Sequence, residues 1–84
     1  MFYYIYVKYL LHKELALHNY IRKRRKERHL SQDMLAQKAN VTRQTINAIE
    51  NAKYDPSLAL AFKLATILET TVDQLFTKSE DEND

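Results

Sequence analysis

QDMLAQKANVTRQTINAIEN, residues 32–51, is the stretch whose reading decides the fold. It carries two apolar stripes of helical spacing with almost no chain between them. Leu35 and Ala39 lie one turn apart with Ala36 beside them, and Ile46 and Ile49 present a second inner face. Helices joined by only three or four residues must cross steeply, so the side chains at the crossing have to be small and the turn has to accept an unusual backbone. Ala36 and Ala39 meet the first demand. Asn40 meets the second, because asparagine tolerates the left-handed conformation better than other non-glycine residues. Val41 plugs the gap between the helices, and Thr42 caps the second one.

Outward from this core the sequence predicts five short helices. The first, near residues 19–28, is mostly charged, with Ile21 as its clearest core residue. The second starts at Ser31 as N-cap, places Asp33 where a carboxylate suits the helix dipole, and runs to Ala39. The third runs from Thr42 to about Asn51. Pro56 and Ser57 open the fourth, in which Leu58, Ala61, Phe62, Ala65 and Leu68 recur at three- and four-residue spacing and define one buried stripe. Thr71, with Gln74 three residues on, reads as a capping box for a last turn holding Val72, Leu75 and Phe76. The expected architecture is therefore an all-α domain over residues 19–77, between an apolar, tyrosine-rich extension (1–18) and an acidic tail (78–84) that has no apolar residue to bury and is expected to be disordered.

Composition supports a helical, intracellular chain. Glycine is absent and Pro56 is the only proline, so hairpin turns lack their usual residues. Without cysteine there is no disulfide framework and no thiolate for zinc or nucleophilic catalysis, which fits a reducing cytoplasm. The apolar run 1–11 is interrupted by Lys8 and falls short of the ~20 residues of a membrane-spanning helix. It also lacks the basic start and small-residue cleavage site of a secretory signal. His12, His18 and His29 are spaced so that no two share a helix turn, which argues against a metal site. No glycine-rich phosphate loop or nucleophile turn is present, so neither an enzyme nor a cofactor is expected.

The net charge of +2 hides an asymmetry. The tail sets Lys78 against Glu80, Asp81, Glu82 and Asp84, and removing that −3 leaves +5 on residues 1–77. Much of this positive charge sits in Arg22, Lys23, Arg24, Arg25, Lys26 and Arg28, a run that fits either a local field that attracts phosphate or a plain solvated helix face.

Helix geometry assigns a surface to the third helix. At ~100° per residue, Thr42, Thr45, Ile46 and Ile49 cluster on one side, Gln44, Asn47, Ala48 and Asn51 point the other way, and Arg43 sits on a flank. A plain solvated face in a chain this charged would carry lysine and glutamate. Amides and arginine are instead the side chains whose donors and acceptors match base edges in the major groove of double-stranded DNA. Arg43, Gln44 and Asn47 are thus the expected base readers, and Gln32, at the start of the preceding helix, is expected to bond a phosphate with help from the helix dipole. Thr42, Asn51 and Lys53 are expected to be further contacts to the DNA backbone. Tyr54 fits either a phosphate contact or packing on its loop.

Several motifs in order resemble one family, the Cro- and lambda-repressor-like helix-turn-helix regulators of the XRE type. These are Leu30-Ser31-Gln32, the Leu35-Ala36 pair, the block VTRQTINAIEN (41–51), KYDPSL (53–58) and the closing DQLF (73–76). The resemblance implies a five-helix domain, no enzymatic activity, and a homodimer acting on a short, roughly palindromic operator, with transcription repressed or tuned by occupancy of the promoter. Three residues depart from the family pattern: Asn40 and Ala52 stand where glycine is usual, and Arg24 where an apolar residue is usual. A second class of function stays open at this point, a protein-binding module such as the antitoxin of a toxin–antitoxin pair, with FYYIYVKYLL (2–11) as the element that meets a protein partner. The same extension also fits self-association in the dimer interface, a helix packed on the domain, or a translation start set upstream of the real domain.

Overall fold

The computed structural model describes residues 17–77. Expectations for residues 1–16 and 78–84 lie outside that range. The elements follow in the order β1 (His18–Asn19), α1 (Ile21–Glu27), α2 (Gln32–Ala39), α3 (Arg43–Glu50), α4 (Leu58–Ile67), α5 (Val72–Leu75) and β2 (Phe76–Thr77). The five helices are those expected from the sequence. The two short strands are not. They pair antiparallel, His18 with Thr77 and Asn19 with Phe76, and Tyr20 N donates to Leu75 O at 2.9 Å. A two-residue ladder leaves no alternating pattern to read, because its register depends on where the helices bring residues 18–19 and 76–77.

One core joins the elements. Ile21, Leu35, Ala36, Ala39, Ile46, Ile49, Leu64, Ala65, Leu68 and Leu75 form a single buried cluster, with Leu30, Val41, Leu60, Ile67, Val72 and Phe76 packed around it. The stripe expected along α4 needs correction: Ala61, Ala65 and Leu68 are buried as expected, but Leu64 takes the central place while Leu58 and Phe62 are 69% and 57% exposed. All nine residues of α4 other than Lys63 are apolar or threonine, so spacing alone does not say which arc faces inward.

Helix starts follow the expected chemistry. Ser31, Thr42, Ser57 and Thr71 each accept a backbone N–H three residues on. The capping box at Thr71 is only half made, since the Gln74 side chain accepts from the Thr70 hydroxyl at 3.2 Å. Helix ends share a device built without glycine. His29, Asn40, Ala52 and Glu69 all have φ near +60°. In each case the next residue donates back to the carbonyl five positions earlier: Leu30 to Arg25, Val41 to Ala36, Lys53 to Ala48 and Thr70 to Ala65, at 2.9–3.0 Å. This is the Schellman closure, which satisfies the orphan carbonyls of a helix end and normally employs glycine. Lys63 Nζ adds a bond to Ala39 O at 3.3 Å, placing a cation at the C-terminus of α2.

Candidate nucleic-acid interface

The surface of α3 is set by what α3 buries. Ile46 and Ile49 are sealed against Leu35, Ala36 and Ala39 of α2, which fixes both the rotation of α3 and the side it shows to solvent. At its start Thr42 Oγ1 accepts from Thr45 N at 3.2 Å and lies 2.9 Å from Thr45 Oγ1. Arg43, Gln44, Asn47 and Asn51 are exposed, Ala48 is half-buried, and Lys53 and Tyr54 are exposed on the following turn. Arg43, Gln44 and Asn47 therefore share the open side of one helix, flanked by Thr42 at its start and by Asn51 and Lys53 beyond its end. Gln32 stands half-buried in the first turn of α2 and reaches the back of this helix through Glu50.

Behind the exposed face lies a buried ion pair. Arg25 Nε donates to Glu50 Oε2 at 2.6 Å, Arg25 Nη2 donates to Glu50 Oε1 at 3.2 Å, and Arg25 Nη1 donates to Leu30 O at 2.9 Å. Gln32 Nε2 and Arg22 Nε also donate to Glu50 Oε1, at 3.0 and 3.3 Å. Burial alone pushes the Glu50 carboxyl up. The hydrogen bonds from Arg25 and Gln32, the charge of Arg25 and the bond from Arg22 together outweigh burial and hold it below the ordinary glutamate range. Glu50 is consequently a carboxylate that ties α1, α2 and α3 together.

From Glu50 the network continues to the surface. Arg22, with its side chain 48% exposed, donates through Nη2 to Asn51 Oδ1 at 2.9 Å. Asn51 Nδ2 donates in turn to Asn47 O at 2.9 Å and to Asn47 Oδ1 at 3.3 Å. Asn19 Nδ2 fastens β1 to the same helix through Ile49 O at 2.8 Å. Of the residues singled out from sequence, Gln32, Asn47 and Asn51 thus belong to one hydrogen-bonded chain.

Arg22, Arg25 and Glu50 were not singled out as individuals by the sequence. A signal for two of them was present: Arg25 lies four residues after Ile21, and Glu50 four after Ile46, so each falls on the buried side of its helix. An arginine on one inner face and a glutamate on another call for each other, because neither charge is stable alone in a core. Read as one field, the basic run 22–28 conceals Arg25 among its neighbours.

Two short helices crossing through alanines, the second sealed by isoleucines and open on an amide-rich side, are the core of a DNA-binding transcriptional regulator of the helix-turn-helix type. The chain belongs to the HTH_3 helix-turn-helix family, which matches residues 21–75. It is 46% identical over 67 residues to an uncharacterized HTH-type transcriptional regulator of Methanocaldococcus jannaschii, covering 80% of this chain and 86% of that one. A second such regulator, from Methanothermobacter thermautotrophicus, is 45% identical over 62 residues, covering 73% and 90% of the two chains. Among solved structures, the restriction-modification controller protein C.AhdI from Aeromonas hydrophila is similar with a TM-score of 0.62 and 32% identity, over 67% of this chain and 81% of that one. The fold also matches a hypothetical transcription factor, NHTF, from Neisseria, at a TM-score of 0.63 and 24% identity over 75% and 72% of the chains. The protein is a regulator rather than an enzyme, and no helix among its described residues is long and apolar enough to cross a membrane.

Proposed function

We propose that the protein is a cytoplasmic, sequence-specific repressor that binds a short palindromic operator as a homodimer. The observation that carries this reading is the exposed row Arg43, Gln44 and Asn47 on a helix whose opposite side is fully sealed. A helix held this firmly presents the row to the major groove without reorganisation, and these side chains supply the donors and acceptors that distinguish base pairs. Gln32, Thr42, Asn51 and Lys53 border the row and meet the phosphates. Phosphate contacts fix the register of the helix on the duplex while base contacts select the sequence.

The homodimer has support from α4. Leu58 and Phe62 are exposed in the single chain, beside grooves lined also by Leu17, Val72 and Phe76. An apolar patch of this kind is costly to leave in water, and a second copy covers it while setting two reading helices about one DNA turn, ~34 Å, apart. The test is selection from a random duplex pool with the purified full chain. The expected product is an inverted repeat with half-sites centred about 10 base pairs apart. Failure to enrich any sequence, together with recovery of a stoichiometric protein partner encoded nearby, would overturn the repressor reading in favour of an antitoxin-type module.

A further inference from the structure

The bonds among Arg22, Asn51 and Asn47 constrain more than position. A side-chain amide can be turned end for end with almost no change of shape, and doing so exchanges a donor for an acceptor. Here the turn is decided by the neighbours. Arginine has donors only, so the group of Asn51 that lies 2.9 Å from Arg22 Nη2 must be its oxygen. A backbone carbonyl accepts only, so the group 2.9 Å from Asn47 O must be the Asn51 nitrogen. The two requirements agree, and they place Asn51 Nδ2 3.3 Å from Asn47 Oδ1. Turning Asn47 over would set one NH2 group against another.

We infer that Arg22 and Asn51 act as positioning residues that hold the Asn47 amide with its oxygen inward and its NH2 toward the DNA, so that Asn47 selects guanine. This rests on the proposal above that α3 reads bases. An unrestrained asparagine pairs with adenine, its oxygen accepting from N6 and its nitrogen donating to N7. With the oxygen engaged by Asn51, the outward group is a donor alone. Guanine offers it two adjacent acceptors, O6 and N7, whereas adenine offers only N7 with its own N6 amine beside it, and thymine only O4 with its methyl group beside it. Arg22 is itself braced by Glu50 at 3.3 Å, so the setting is carried from the buried ion pair to the surface.

The experiment compares operator preference, base pair by base pair, for the full chain and three variants. Asn47→Ala marks the base pair that Asn47 meets by erasing preference there. The wild-type chain is expected to prefer guanine over adenine at that pair by on the order of tenfold. Asn51→Asp keeps the acceptor for Arg22 and removes the donor, so the Asn47 amine turns inward and its oxygen faces out. Preference at the marked pair should then move, by a similar factor, toward adenine or cytosine, whose exocyclic amines face the groove. Asn51→Ala frees the amide and should restore adenine. Position 51 is exposed, so both variants are expected to melt with the wild-type chain, and the alanine variant carries the test if the aspartate variant does not fold. Guanine retained in both variants would overturn the inference, as would adenine preferred by the wild type or no position altered by Asn47→Ala. Failure of the wild-type chain to enrich any DNA is a separate result, and it overturns the base-reading proposal itself.

Discussion

Arg25 of α1 and Glu50 of α3, 25 residues apart in sequence, meet in a two-pronged ion pair with bonds of 2.6 and 3.2 Å, and the Glu50 side chain has no contact with solvent. The pair closes the domain behind the exposed face of α3. Its contribution lies in the cost of breaking it, since taking away one partner leaves an uncompensated charge in the core.

Glu50→Ala is accordingly expected to destabilise the protein by about 3–5 kcal/mol, a large share of the ~5–15 kcal/mol that stabilises a typical domain. Replacing both charges with apolar residues, Arg25→Met with Glu50→Leu, should cost much less than either single change. Urea unfolding of the two singles and the double checks this. Additive losses would show that the two residues do not act as a pair.

The same carboxylate gives stability a pH dependence. Its value is lowered in the folded state, so the unfolded chain takes up the Glu50 proton first as pH falls. The contribution is complete above the ordinary glutamate value of about 4.3 and is lost as pH falls through the lower folded value. Between about pH 5 and about pH 3 the wild-type protein should lose more stability than Glu50→Gln. Parallel losses in the two proteins would remove Glu50 from the account.

Ala52 closes α3 with φ of 58°, a conformation that costs a residue with a Cβ about 1–2 kcal/mol. Ala52→Gly relieves that cost, partly offset by the greater freedom of glycine in the unfolded chain. A gain of about 0.5–1 kcal/mol is expected, which raises Tm by roughly 2–8 °C. Asn40→Gly should gain less, because asparagine accepts this backbone more readily. A lower Tm for Ala52→Gly would mean that the turn is not strained.

How far the sequence anticipated this structure depends on whether a pattern was local. Ser31, Thr42 and Ser57 act within three residues, so the starts of three helices were legible. The turn at Asn40 was legible for the same reason, and the periodicity of α3 separated Ile46 and Ile49 from Gln44 and Asn47. The expectation for α4 failed at Leu58 and Phe62 because nearly every arc of that helix is apolar, and only the position of its neighbours settles that Leu64 faces inward. The β1–β2 ladder joins residues far apart in the chain, and neither strand carries a local sign of the other, whereas Arg25 and Glu50 each fall on the inner side of a helix and only the packing of α1 on α3 brings the two together.

The exposed apolar side chains on α4 yield a prediction about assembly. Leu58→Glu with Phe62→Glu places two carboxylates on the patch without disturbing the buried cluster. Light scattering should show a shift from dimer to monomer, with Tm nearly unchanged and operator affinity reduced. An unaltered mass at the same concentration would move the dimer interface elsewhere.

The central claim is that the exposed side of α3 distinguishes base pairs, and Gln44 lies in the middle of that side. The most direct test measures Gln44→Ala and wild-type affinities for the selected operator and for random DNA under one salt condition. Loss of a paired base contact predicts a cost of roughly 1–3 kcal/mol on the operator, relaxed preference at one base pair, and little change on random DNA. An equal loss on both DNAs would contradict the claim, since it would make Gln44 a contact to the phosphate backbone and leave α3 without its part in reading sequence.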